Sequence, residues 1–330
     1  MIYLEETAVY ERPAKAWKDD IGNYGGLYKN GAWGEDGKTL ISYEKGEVTG
    51  IVEKDAEGAR VIDSEADFIR LAIMLNTGGN FASGCFDGLD KGTLLKTDYR
   101  VTKSLNLAGS GIYSLNRNDS KGLDEVFQGS FEGSGSENVT ITLDNLDTNQ
   151  CNLALFPSVG GDTDSAVTPV ISGFTLKRSI KGAGSYAAGI ACRVLGNFTA
   201  EDLNLQVSIT SYYSGYHLDN QHFDNITNYY GGLAAKVDSK GATAFTVKDV
   251  KIGGTLITQR NSGNSWANTV AGGLAAVYVQ TGAAPSEICV ESFTLTGDFH
   301  LESAGIYSSG MITLLNADND TKDRTILSMR

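Results

Sequence analysis

A short block recurs along the second half of this chain. In it a small residue and a glycine precede an aliphatic residue. The copies are Ala188-Gly189-Ile190-Ala191, Gly231-Gly232-Leu233-Ala234, Gly272-Gly273-Leu274-Ala275 and Ala304-Gly305-Ile306-Tyr307, with Ala154-Leu155-Phe156 as an earlier member lacking glycine. With the glycines as anchors the spacings are 232 − 189 = 43, 273 − 232 = 41 and 305 − 273 = 32, a period made irregular by loop insertions. Self-similarity at this scale is the signature of a solenoid, because one unit cannot bury its apolar face until a neighbour is stacked on it.

Each block is associated with a second alternating motif: Phe174-Thr175-Leu176, Leu203-Asn204-Leu205, Val250-Lys251-Ile252 and Phe293-Thr294-Leu295. A third short strand, with Val207 and Ile209 in one copy and Leu256 and Ile257 in another, closes the unit. Alternation of apolar and polar residues is the period of a half-buried strand. Three strands per coil would place Leu155, Ile190, Leu233, Leu274 and Ile306 in one internal ladder. The adjacent glycines and alanines would allow close backbone approach at a corner. The expected fold class is therefore all-β, a right-handed parallel β-helix. An antiparallel β-sandwich with coincidental matches is the alternative.

Two segments precede the coils. Residues 1–60 carry no sustained period and read as a small β-rich lead-in, so that residues 61–330 form the capping helix and the solenoid. Ser64-Glu65-Ala66-Asp67 is an N-cap signal, and Phe68, Leu71, Ala72 and Leu75 follow at i, i+3, i+4 and i+7, which predicts one amphipathic helix ending at Asn76-Thr77-Gly78-Gly79. From Tyr99 the period becomes two, and Phe127-Gln128-Gly129-Ser130-Phe131-Glu132-Gly133 suggests a tight corner.

The order of capped helix, Tyr99–Leu107 strand pair, Phe127–Gly133 corner and Gly-Gly-Leu-Ala blocks resembles the β-helical region of bacterial surface proteins with GLUG-type repeats, as in IgA-peptidase-like and adhesin-like proteins. The resemblance spans about residues 61–315. It implies a right-handed parallel β-helix with its first coil covered by the helix, displayed outside the cell on a larger parent protein with flanking domains. Phe131-Glu132-Gly133 departs from the family's Phe-Asp-Gly corner, and Ala154 replaces the first repeat glycine. The family supplies no catalytic residue set. Residues 1–20 show no apolar signal core and residues 316–330 no closing element, so an excised piece of that protein is expected.

Charge and cysteine usage narrow the function. The 40 acidic against 27 basic residues give a formal charge of −13, which would repel phosphate backbones and anionic lipid, and no apolar run approaches the roughly 20 residues of a membrane span. No nucleic-acid partner and no membrane span are expected. Cys85, Cys151, Cys192 and Cys289 are scattered without metal-ligand or redox spacing, and buried free thiols are the preferred reading. No cofactor is expected.

Candidate binding residues concentrate in insertions at one point of the repeat. Ser211–Tyr230 holds Tyr212, Tyr213, Tyr216, His217, His222, Tyr229 and Tyr230. Gln259–Val270 holds Trp266, and Arg178–Ala187 leaves at the same place. Aromatic rings beside Asn and Asp suit a sugar or a protein partner, although such rings also serve to complete a core. His217, Asp219, His222 and Asp224 lack a firm metal spacing, and in Asp318–Asp323 Lys322 occupies a would-be oxygen-ligand position, so no metal site is assigned. Asp202, Asp249 and Glu291 fall beside the second motif and could stack as an acidic ladder, the one arrangement pointing to a general acid. The leading expectation is a non-enzymatic surface module that presents loops to a glycan or a protein. A structural stalk and a polysaccharide lyase or glycoside hydrolase are the alternatives.

Overall fold

The computed structural model describes residues 32–33, 40–41, 51–77, 84–108, 114–115, 125–134, 138–143, 146–147, 153–161, 167–181, 186–213, 228–240, 243–260, 269–281, 286–303, 307–317 and 325–329. Among these the pairing is overwhelmingly parallel. Antiparallel pairing is confined to Ala32–Trp33 with Leu40–Ile41 and to the isolated bridges Lys54–Arg60 and Gly161–Asn197, which excludes the antiparallel sandwich.

Three parallel sheets result. A long-strand sheet runs from Arg60–Ile62 through Tyr99–Val101, Phe131–Gly133, Val170–Lys181, Phe198–Tyr213 and Ala244–Arg260 to Ser286–Val290 and Thr325–Met329. A short-strand sheet joins Tyr186–Ala188, Asn228–Gly231, Thr269–Gly272 and Tyr307–Ser309, and a third sheet joins Phe156–Val159, Ala191–Leu195, Ala234–Lys240, Ala275–Thr281 and Ile312–Ala317. From Val170 to Ala317 the chain visits long, short and third sheet in that order, so equivalent strands of successive copies lie side by side.

Register follows the apolar pattern. Phe174, Leu203, Val250 and Phe293 align, as do Leu176, Leu205, Ile252 and Leu295. Of these, Phe174, Leu176, Leu203, Leu205, Val250 and Ile252 are buried. A one-residue slip would turn every such side chain to water, which pins the pairing. Each fully buried Val, Leu, Ile or Phe is worth roughly 1.5–3 kcal/mol. The third short strand of the sequence reading is not separate: Val207 and Ile209 belong to the 16-residue strand Phe198–Tyr213, where Ile209 pairs with Leu256, and Ile257 pairs with Thr210 instead.

Alternation along these long strands changes phase at one residue. In Phe198–Tyr213, Phe198 and Ala200 are buried, then Leu203, Leu205 and Val207, with Asp202 between them at φ 49°. Asp249 at φ 52° and Gly173 at φ 77° occupy the same register position. A left-handed residue here bends the strand so that both halves keep their apolar side chains inward. Aspartate tolerates this conformation better than most residues with a Cβ.

The block itself forms the bend between the short-strand and third sheets. Backbone N–H groups of Ile190, Leu233 and Leu274 donate to the carbonyls of Leu233, Leu274 and Met311, so the ladder continues through Gly310-Met311. The expected last member, Ile306, lies outside the described residues, and Tyr307 next to it pairs with Val270. The last spacing is accordingly 310 − 273 = 37. Close approach explains the glycine: a Cβ on Gly232 would stand 2.2 Å from the Gly273 carbonyl oxygen and 2.7 Å from Ile252 Cγ2. The first copy manages without glycine because its bend is one residue shorter: Leu153 and Phe156 pair with Ala187 and Ala191, three residues apart against four.

The N-terminal part packs onto the same core. Helix α1 (Glu65–Thr77) buries Phe68, Ile69, Leu71, Ala72, Met74 and Leu75, a wider face than the sequence pattern predicts, and Phe68 meets Phe131 edge-on with ring centroids 6.4 Å apart. Ser64 Oγ accepts from the Asp67 amide at 3.3 Å and donates to Asp67 Oδ2 at 2.7 Å, the expected N-cap. Burial raises the Asp67 carboxyl above its ordinary value. A second helix, α2 (Lys91–Leu94), is too short for a period to reveal; Asp90 caps it by accepting from the Thr93 amide at 2.7 Å.

Arg60, fully buried in the first strand of the long sheet, donates to the carbonyls of Val52 (3.0 Å) and Phe86 (3.2 Å) and to Asp87 Oδ2 (2.8 Å), with its guanidinium 5.5 Å from the Phe86 ring centre. This cation ties residues 52 and 86–87 to the first strand. In the Phe127–Gly133 corner, Phe127 and Phe131 are core rings, and Phe127 stacks on Phe156 at 4.3 Å.

Candidate functional site

Lys181, Tyr213, Arg260 and Ser303 end strands of the long sheet, and Tyr186, Asn228, Thr269 and Tyr307 open the short-strand sheet. Tyr213 pairs with Arg260 and Asn228 with Thr269, so the connections of these copies spring from one edge. Tyr216, His217 and His222, with Asp219 and Asp224, lie in 214–227, outside the described residues. Trp266 and Asp318–Asp323 also lie outside them. Among the described residues no group of three or more His, Cys, Asp or Glu side chains could hold a metal ion, and His300 is exposed on the long-strand sheet.

The four remaining tyrosines divide. Tyr212 and Tyr213 continue the long strand, paired with Gln259 and Arg260. Tyr230 is 1 % exposed inside the main core, in register with Ala187 and Ala271. Its neighbours in register are alanines, and the large ring fills the space beside them; the sequence reading counts Tyr230 among the binding residues, and the fold places it in the core. Tyr229, one position earlier on the same strand, points the other way.

Tyr229 stacks on Tyr186 of the preceding copy, with ring centroids 5.1 Å apart and planes 11° from parallel. Both rings are half-buried against a floor of small, buried residues: Ala154, Ala188, Cys192 and Ala235. Beside them Arg193 Nε and Lys236 Nζ share one carboxylate. Arg193 meets Asp238 Oδ2 and Lys236 meets Oδ1 at 2.9 Å, with side chains 31 %, 25 % and 15 % exposed for Arg193, Lys236 and Asp238. Burial first, and then the Asp238 charge, push the Tyr186 hydroxyl up; burial, Tyr186 and Asp238 do the same for Tyr229. Both hydroxyls therefore stay protonated well above neutral pH, able to donate and to accept.

Sequence reasoning missed Tyr186, Arg193, Lys236 and Asp238, although a signal was present. Counting from the block glycine, tyrosine stands at −3 and a cation at +4 in two copies: Tyr186 and Arg193 about Gly189, and Tyr229 and Lys236 about Gly232. The next copy has Val270 and Val277 at these positions.

The acidic ladder is not formed as expected. Asp202 and Asp249 align, but with Val247 opposite Val290 and Val250 opposite Phe293, Glu291 falls beside Lys248 and not beside Asp249. Lys248 in turn pairs with Glu201 opposite it, giving alternating charges Glu201, Lys248 and Glu291 across neighbouring strands. Glu201 foremost, with Asp249 and Glu291, raises the Lys248 ammonium. With Lys248 standing between Glu201 and Glu291, the stack of three like charges that pointed to a general acid is absent from this register.

No protein-family model, curated protein or solved structure matches the chain. Among the described residues no helix is long and apolar enough to cross a membrane.

Proposed function

We propose that this chain is a right-handed parallel β-helix, covered at its first coil by helix α1, that works as a non-enzymatic binding module on the surface of a bacterial cell. Its relatives on this reading are the GLUG-repeat regions of larger surface proteins, with residues 1–60 as a lead-in and residues 61–330 as the helix and solenoid. The constant visiting order of the three parallel sheets supports the coil, and the strong preference for right-handed parallel crossovers supports its hand. Packing of Phe68 edge-on against Phe131, in the third strand of the long sheet counting from Arg60–Ile62, supports the helical cover.

One observation carries the binding role. The connections between long and short strands rise from one edge in register, and the half-buried Tyr186–Tyr229 pair with its shared ion pairs lies at the foot of that edge. Loops on a rigid scaffold are where recognition is placed. The ligands are extracellular glycans or host proteins. Replacing residues 214–227 and 261–268 with short Gly-Ser linkers should abolish adhesion to the ligand found in glycan-array and host-protein screens, with the thermal midpoint unchanged. A lowered midpoint with adhesion intact would favour a stalk, the reading to which the buried Tyr230 belongs.

A further inference from the structure

Among the described residues Arg193 and Lys236 share the single carboxylate of Asp238 beside the Tyr186–Tyr229 pair, two cations to one anion on a chain whose formal charge is −13. The three side chains are partly withdrawn from water, where charge is screened less than at an open surface. We propose that this cluster binds a linear acidic polysaccharide, with Arg193 holding the carboxylate of one uronic acid residue and Lys236 that of the next. The inference rests on the binding-module reading and names the ligand class for it.

Three features point to this chemistry. The Arg193 contact with Asp238 is made through Nε, and a planar guanidinium carries further N–H donors in a fork that matches a carboxylate. The tyrosine rings lie flat on each other, so each covers one face of the other, and both are only half-buried. Such a pair suits hydrogen bonding to sugar hydroxyls better than stacking under a neutral sugar ring. The 5.1 Å between ring centroids is close to the roughly 4.8 Å spacing of neighbouring strands. That step is comparable to one pyranose residue of an extended chain, so a polysaccharide running across the strands meets one tyrosine and one cation per coil. Val270 and Val277 in the next copy end the site after two sugars.

The test is titration calorimetry on the full chain with tetragalacturonate, a hyaluronan tetrasaccharide and an alginate tetramer, each beside its carboxyl-reduced counterpart, with heparin tetrasaccharide as the sulfated control. At least one carboxylated oligomer should bind, its reduced form should not, and affinity should fall as salt rises. Asp238→Asn, which frees both cations, should tighten binding about threefold or more. The neutralised triple variant Arg193→Gln, Lys236→Gln, Asp238→Asn should lose about tenfold or more, since both charge-assisted hydrogen bonds to the ligand are removed. Thermal melts of the variants check folding, and the opposite signs of the two changes separate a lost site from a lost fold. Equal binding of reduced and acidic forms, binding of heparin alone, or an Asp238→Asn variant that binds more weakly would overturn the inference. If no acidic oligomer binds while a neutral glycan or a protein binds through the 214–227 and 261–268 segments, this inference fails and the binding-module reading stands. If nothing binds in any screen, both fail.

Discussion

At Gly232 a methyl group would need space already held by the Gly273 carbonyl and the Ile252 side chain, in a bend whose backbone hydrogen bonds fix it to its neighbours. Gly232→Ala should therefore cost about 1–3 kcal/mol, the usual range for an overpacked site, while Gly84→Ala, with no atom within 4 Å of the added carbon, should stay within about 0.5 kcal/mol of the parent. Urea denaturation of the two variants checks the contrast. Asp87 gives the residue scale its pH dependence. The hydrogen bond and charge of Arg60 hold its carboxyl below the usual carboxylate range. A depressed carboxylate contributes stability that is present above the ordinary pKa of about 3.9 and is lost as pH falls through the depressed value. Asp87→Asn should thus melt lower than the parent at pH 7, and the difference should shrink as melts are repeated toward pH 3.

At the scale of the element, helix α1 is held by packing more than by its own propensity. Phe68→Ala removes a ring that meets Phe131 and lies wholly in the core, and should cost about 3–5 kcal/mol in a guanidinium titration, whereas Ser64→Ala removes only the cap and should cost about 1 kcal/mol. The helix was legible because its cap and its apolar spacing agree, and the paired strands Phe174–Leu176, Leu203–Leu205, Val250–Ile252 and Phe293–Leu295 were legible because period two leaves one register that buries them all. The last repeat was misplaced for a physical reason: Gly305-Ile306 imitates the block, while Gly310-Met311 follows two serines and presents a flexible side chain in place of a stiff one. The Asp202 and Asp249 bend was visible only as an alignment of acids; Gly173 in the same register was the signal of a left-handed backbone, and without it Glu291, two residues before Phe293 and not one, was drawn into their column. Tyr229 and Tyr230 differ in role because successive strand residues face opposite ways, and which of two adjacent tyrosines faces inward depends on the register of the next copy.

For the molecule as a whole, a stack of similar units makes stability a sum of unit and neighbour contributions. Phe198–Tyr213 and Ala244–Arg260 are paired along both edges, while Thr325–Met329 pairs along one among the described residues. Amide exchange should be slowest in the first two and faster in the last; uniform protection would argue against a stack of units. The architecture requires copies about 40 residues apart to stand side by side in parallel register, and a single substitution tests that. Thr246 lies opposite the native Cys289, and neighbouring strands bring Cα atoms to a separation of roughly 4.8 Å, within the 4.4–6.8 Å that a disulfide spans. Under mild oxidation, Thr246→Cys should yield a disulfide between positions 246 and 289 in peptide mapping, while Thr255→Cys, which lies opposite His300, should not be joined to Cys289. Absence of the 246–289 bond in the folded variant, or an equal yield from position 255, would contradict the stacked register.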